Sequence, residues 1–383
     1  MNTITKKRSC AWLVTFLGVG LAACGADAGG EPTAELQERV DALARSGLVG
    51  VQAEFSGVDD RPVWAGAGAA RVSPREPLTP TSRFRIGSTT KAFVATIALQ
   101  LVEEGALSLD DSVDRWLPDL LRGTGQDGGH ITLRQLLQQT SGLPDYVADH
   151  EAMMMAVSTE EELRALLLRA WTPAELVALA VAHEPVFPPG TSWSYSNTGY
   201  VVIGMMIERA TGEPWDREVT ERIIEPLALA DTYAPGSDPS IAGPHAHGYM
   251  DLQLQDQSDP VDVTELDPTV LDAEGALVST TADLDRFFRA LLGGELLGPD
   301  LLAEMKTTTP IDEGPPGTEY GLGLVRFPLA CGGAYWNHPG DVYGYHVRGG
   351  VTESGDRSAT VAATGDGDLD AGSDALIVSA LCP

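Results

Sequence analysis

The sequence predicts an α/β fold: one antiparallel sheet built from the two ends of the chain, with a helical insertion between them. Three observations lead there. Strand-like alternation clusters near both ends of the 383 residues, at 48–57 and 62–72, then at 320–327, 334–340, 343–348 and 358–364. From about 112 to 270 the chain reads as short capped helices and loops. A long helix with apolar spacing follows Ser88, where the two parts meet. Strands from both termini complete a single sheet, giving a sandwich lobe of 36–111 and 272–383 and a helical lobe of 112–271.

The N-terminus reads as an export signal over residues 1–23. Lys6, Lys7 and Arg8 precede the apolar run 11–23, which is too short to span a bilayer comfortably. Leu21-Ala22-Ala23-Cys24 resembles a bacterial lipobox, which would make Cys24 the lipidated first residue and anchor the protein to a membrane outside the cytoplasm. An ordinary secretory signal cut at the same point is the alternative. Residues 24–35, small and acidic, form a tether. Loss of 1–23 moves the formal charge from −30 to −33, which disfavours nucleic acid and anionic surfaces as partners. Of the remaining cysteines, Cys331 and Cys382 suggest a disulfide pinning the C-terminus. His245-Ala246-His247 is an isolated pair without metal-ligand spacing.

A helix is expected at 35–46, and the strands 48–57 and 62–72 form a hairpin across Val58-Asp59-Asp60. In the insertion, Thr132 with Gln135, Ser158 with Glu161, and Thr172-Pro173 with Glu175 fit capping boxes. Met153-Met154-Met155 suits adaptable core packing or a pocket wall. Thr280 caps a helix at 281–292, and a last helix covers 370–381.

The chemistry centres on residues 84–104. Ser88 and Lys91 stand three apart, on one face of the expected helix. A serine needs a base or a cation beside it to become a nucleophile, and Lys91 with the helix N-terminus supplies one. The pair alone leaves open a Ser cap followed by a surface lysine. A second constellation is Tyr195-Ser196-Asn197, on a loop after Pro189-Gly190: a phenol near an ammonium can act as base, and an amide can orient a substrate. Tyr335-Trp336-Asn337 has the same spacing but lies in a predicted strand, where Tyr335 and Asn337 share a face. The third is His338-Pro339-Gly340, placed on a strand. Gly340 permits close approach, and His338 either bonds the base, holds a positive charge near it, or is structural.

Ser-x-x-Lys, Tyr-x-Asn and His-x-Gly in this order resemble the serine D-alanyl-D-alanine carboxypeptidases and class C β-lactamase relatives among the penicillin-recognising enzymes. FRIGSTTK (84–91), ITLRQLLQQTSGLPDY (131–146), PGTSWSYSNTGYVVIGMMIE (189–208) and YGLGLVR (320–326) are similar too, and so is the placement of Cys331 and Cys382. The resemblance implies a β-lactamase/transpeptidase-like fold of two lobes and a Ser88 acyl-enzyme. It implies proton handling by Lys91 and Tyr195, with Asn197 on the acyl amide and His338 where other branches carry lysine. The oxyanion would meet the backbone N–H groups of Ser88 and Asp341, beside Gly340. No metal or organic cofactor is implied. The expected enzyme is a monomeric D-alanyl-D-alanine carboxypeptidase of the cell envelope taking a peptide, ester or β-lactam; a same-fold esterase or β-lactamase, and a non-catalytic binding lipoprotein, are the alternatives. One departure matters: Pro339 replaces the usual Thr or Ser, so a substrate carboxylate loses a hydrogen bond worth roughly 1.5–3 kcal/mol.

Overall fold

The computed structural model describes residues 34–57, 61–252, 254–255, 260–367 and 369–382. The expected export signal, Cys24, most of the tether and the Val58-Asp59-Asp60 turn lie outside the described residues. Nine strands form the main sheet: β1 (Gly50–Ser56), β2 (Pro62–Gly68), β3 (Thr309–Pro310), β4 (Glu319–Tyr320), β5 (Val325–Pro328), β6 (Ala334–Asn337), β7 (Gly340–Val342), β8 (Tyr345–Thr352) and β9 (Ser358–Thr364). Their spatial order is β2-β1-β9-β8-β6-β5-β4-β3, with β7 paired to β8 and every pairing antiparallel. Strands from both ends of the chain therefore do meet, at β1 against β9, with Ala53 opposite Val361.

Five helices position the rest: α1 (Ala34–Ala44), α2 (Thr90–Glu103), α3 (Asn197–Thr211), α4 (Thr281–Leu292) and α5 (Asp370–Leu381). Period-two alternation gives β1 two unlike faces. Val51, Ala53 and Phe55 pack with Val40 and Leu43 of α1 and with Leu376 and Ile377 of α5. Gln52, Glu54 and Ser56 turn the other way, where Thr281 of α4 donates to Glu54 at 3.1 Å and Ser56 donates to Asp285 at 3.2 Å. Helix α2 runs through the larger core, Phe93 stacked on Phe287 with ring centroids 3.6 Å apart. It is buried all round from Thr90 to Leu99, Thr90, Lys91 and Thr96 included, and only its last turn reaches the surface, so it is a central helix rather than a one-sided one.

The strand expected at 62–72 ends at Gly68 and that expected at 343–348 runs from Tyr345 to Thr352, and three further expectations shift. Thr159, not Ser158, caps the helix Glu160–Leu167, accepting from Glu162 N–H, while the Glu162 carboxylate takes the Ser158 N–H at 2.8 Å. The segment 320–327 is not one strand: β4 and β5 are joined by a tight turn with Gly323 at φ +78°, a conformation that glycine takes without strain. His338-Pro339 lies between β6 and β7 rather than within a strand, because proline has no N–H to give a ladder. The Thr132 and Thr172 capping boxes and the Thr280 cap form as expected. Cys331 and Cys382 are joined by a disulfide, tying the β5–β6 connection to the end of α5.

Candidate active site

Ser88 sits in a 3-10 turn, Gly87–Thr89, that runs directly into α2. It is half-buried and not a helix cap, and its hydroxyl accepts from Lys91 Nζ at 2.8 Å. Lys91 is no surface lysine: it is wholly buried. Besides Ser88, its Nζ faces Asn197 Oδ1 at 2.6 Å, the Glu274 carbonyl at 2.9 Å and Glu274 Oε2 at 2.7 Å. Four oxygens thus surround a nitrogen that carries three hydrogens as an ammonium and two as an amine. Burial pushes its pKa down, against the pull of the Glu274 carboxylate.

Asn197 is the first residue of α3, brought to Lys91 by the turn after Pro189-Gly190. Its amide orientation follows from its partners: Oδ1 accepts from Lys91, and Nδ2 donates to Asp145 Oδ2 at 2.8 Å. Asp145 also accepts from the Asn197 and Val147 N–H groups, each at 3.2 Å, and burial raises its pKa to about 6. The Tyr195 ring stands 5.0 Å from Lys91 Nζ. Its hydroxyl is buried without a well-formed hydrogen bond; burial pushes the phenol well above its ordinary pKa, while the neighbouring Ser88 hydroxyl works the other way.

The third motif closes over Ser88 from the sheet. Thr89 Oγ1 donates to the His338 carbonyl at 2.9 Å. A Cβ on Gly340 would lie 2.0 Å from the Ile86 carbonyl, and one on Gly87 would lie 2.7 Å from the Asp341 carbonyl. Only two glycines let these backbones touch, which brings the 87–88 turn against Gly340-Asp341. His338 itself holds no positive charge. Its Nδ1 meets the Pro339 carbonyl at 2.8 Å, its Nε2 meets the Tyr320 hydroxyl at 2.9 Å, and burial beside Lys91 drives its pKa down to about 3. The ring is therefore neutral, with Nδ1 donating and Nε2 accepting. Its centroid is 6.0 Å from that of Tyr195, and both its nitrogens are occupied, so it does not bond the phenol.

Sequence reasoning missed Glu274 and Asp145. Glu274 is 183 positions from Lys91 in an unmarked segment, yet Tyr146 also donates toward its Oε1 at 3.2 Å. Asp145 lies inside the quoted 131–146 segment, two residues after Leu143, and its position there was the available signal.

Two cavities open from this centre and share Ser88, Asn197 and Asp341 in their walls. One, of about 820 Å³, extends past Tyr195, Tyr320 and His338. The other, of about 770 Å³, is walled by apolar groups including Met154, Met155, Leu252, Leu254 and Leu271. The methionine run thus serves both expectations, since Met153 packs against the core. Among the described residues, no cluster of histidine, cysteine or carboxylate groups could hold a metal ion, and no helix is long and apolar enough to cross a membrane.

Comparison with known proteins agrees with this geometry. The chain is 39% identical to a D-stereospecific amidohydrolase from Streptomyces, whose structure superposes with a TM-score of 0.81 over 91% of this chain and 98% of that one. A D-amino acid amidase from Ochrobactrum anthropi, solved with L-phenylalanine amide, is 28% identical with a TM-score of 0.78, covering 90% and 97%. Penicillin-binding protein 4* of Bacillus subtilis is 29% identical over 289 residues, 73% of this chain; the chain spans 60% of that relative's length. The Beta-lactamase family model matches residues 36–381. A nucleophile-ready serine on a buried lysine, in this fold and with these relatives, makes the chain a member of the β-lactamase family and a serine hydrolase of the superfamily that also holds the penicillin-binding proteins.

Proposed function

We propose that the protein is an exported amidohydrolase, anchored by a lipid on Cys24, that transfers the acyl half of D-aminoacyl amides and peptides to Ser88 and then to water. The observation that carries the reading is the Lys91 environment. As a neutral amine, Lys91 receives the Ser88 proton while Oγ bonds to the carbonyl carbon. The resulting ammonium has three hydrogens for three remaining acceptors, Asn197 Oδ1 and the two Glu274 oxygens. The new oxyanion faces the Ser88 and Asp341 N–H groups. When the C–N bond breaks, the proton returns through the Tyr195 hydroxyl to the departing amine. A water then attacks the acyl-enzyme, gives up its proton by the same route, and Ser88 is restored. Asn197 keeps its second Nδ2 hydrogen for a substrate carbonyl.

The substrate class rests on two supports. Two relatives alike over nearly their whole length are a D-stereospecific amidohydrolase and a D-amino acid amidase, and the amidase is seen in complex with phenylalanine amide and with D-phenylalanine. The methionine- and leucine-lined cavity suits an apolar acyl side chain. A D-alanyl-D-alanine carboxypeptidase is the second reading, favoured by the penicillin-binding relatives. It needs a cation for the terminal carboxylate, and both candidates are already paired: Arg348 with Asp341 and Asp370, Arg326 with Glu319 and Glu353. D-phenylalanine amide should be cleaved with a kcat/KM at least tenfold above that for a D-Ala-D-Ala peptide; the reverse order would install the carboxypeptidase. Mass analysis of the membrane-extracted protein should find a lipid adduct on Cys24, and an unmodified cysteine or an intact Met1 would remove the anchor.

A further inference from the structure

In the proposed reaction the departing amine leaves through the cavity that Tyr195, its proton donor, lines. Its wall carries four carboxylates, Glu313, Asp341, Asp370 and Asp374, against one guanidinium, Arg348, which is held by Asp370 at 2.7 Å and Asp341 at 3.1 Å. Among the described residues Glu313 and Asp374 show no hydrogen bond or ion pair, and partial burial raises the pKa of each, for Asp374 against the pull of Arg348. His338 is neutral and Pro339 offers neither hydroxyl nor N–H. A second observation is independent of the acids. Asn337, 3% exposed and in the same wall, gives its Nδ2 to the Gly349 carbonyl, and its buried Oδ1 has no donor among the described residues. Trp193 and Phe327 supply aromatic surface over which an ammonium is attracted.

We propose that this cavity is a leaving-group subsite selective for cationic amines: diamines and carboxyl-blocked basic amino acids released from a D-aminoacyl group. The inference rests on the amidohydrolase reading and adds the identity of the second product. The reaction stays a hydrolysis: the C–N bond breaks, water supplies OH to the acyl group and H to the amine, and the distal ammonium remains charged throughout. Carboxylates at the mouth of a low-dielectric cleft favour a cation and repel an anion, and salt weakens both effects.

The test uses three D-phenylalanyl amides of matched length, with 5-aminopentyl, pentyl and 5-carboxypentyl leaving groups, on the mature protein. At about 0.02 M salt, kcat/KM should run cation over neutral over anion, the outer two differing by roughly tenfold or more, and the ratio should shrink by about 0.5 M salt. Glu313→Gln combined with Asp374→Asn should bring the cation-to-anion ratio towards one. A wild-type ratio near one, or a ratio that neither salt nor the double substitution moves, overturns the subsite while cleavage of the pentyl amide keeps the amidohydrolase. If a fluorophosphonate labels Ser88 but none of the three amides is cut, the D-aminoacyl reading falls and takes this inference with it.

Discussion

Tyr195-Ser196-Asn197 and Tyr335-Trp336-Asn337 are the same pattern in two settings, and both border the cavity beside Ser88. In the first, a loop turns into α3, and the phenol ring and the amide both converge on Lys91. In the second, the residues sit on β6, with Tyr335 opposite Phe327 and Asn337 opposite Val325. Tyr335 stacks on Phe327 with centroids 5.0 Å apart, and Asn337 donates to the Gly349 backbone of the neighbouring strand. Strand geometry sends both side chains along one face, whereas the loop-to-helix turn wraps them around a single nitrogen. Spacing alone carries no chemistry; the backbone that bears it decides which groups converge.

The comparison breaks first at the nucleophile both triplets border. Ser88→Ala should abolish acylation while leaving the thermal midpoint within a degree or two, and a covalent adduct on that variant, seen by mass spectrometry, would unseat Ser88. Tyr195→Phe should lower kcat by roughly 10²–10³-fold, the range of a lost proton shuttle, with KM little changed. Tyr335→Phe should change kcat/KM by less than about threefold. Equal effects in the two phenylalanine variants would dissolve the distinction. A finer cut comes from Asp145, which positions Asn197, whereas a backbone carbonyl holds the Asn337 amide. Its carboxyl is pushed up to about 6, so it gains a proton as pH falls through that value and its charge-assisted bond to Asn197 weakens. kcat/KM should drop below about pH 6, and Asp145→Asn should lower the plateau and erase that limb. A limb that persists unchanged in the variant would assign it to another group.

Much of the fold and of the site is legible in the sequence. The sheet from two termini followed from where alternation occurs, and Ser88 with Lys91 followed from i, i+3 geometry, which local sequence determines. Contacts fixed by long-range packing were not legible. Glu274 reaches Lys91 only because a short 3-10 turn, Asp272–Glu274, lies against the start of α2, and nothing near Glu274 in sequence announces that. The neutrality of His338 is set by burial and by Lys91, which lies far away in the sequence. The split at His338-Pro339 could have been read, since an interior proline argues against an unbroken strand.

The polar underside of β1 makes a proton part of the folded architecture. Glu54, pressed under α4 and beside Asp285, has its pKa raised from 4.5 to about 7, so the native chain keeps a proton that the unfolded chain sheds. Between about pH 4.5 and 7, unfolding releases that proton; this residue's contribution declines as pH rises through the window and stays lost above it. Salt-bridged carboxylates fail in acid, but this one is an acid-side keystone. Glu54→Gln should stabilise the protein by about 1–2 kcal/mol at pH 8 and hardly at all at pH 4.5, flattening the melting temperature against pH. A variant as pH-sensitive as the parent would place the proton elsewhere. For a chain expected to work outside the cytoplasm, the buried carboxyl makes mild acidity a stabilising condition.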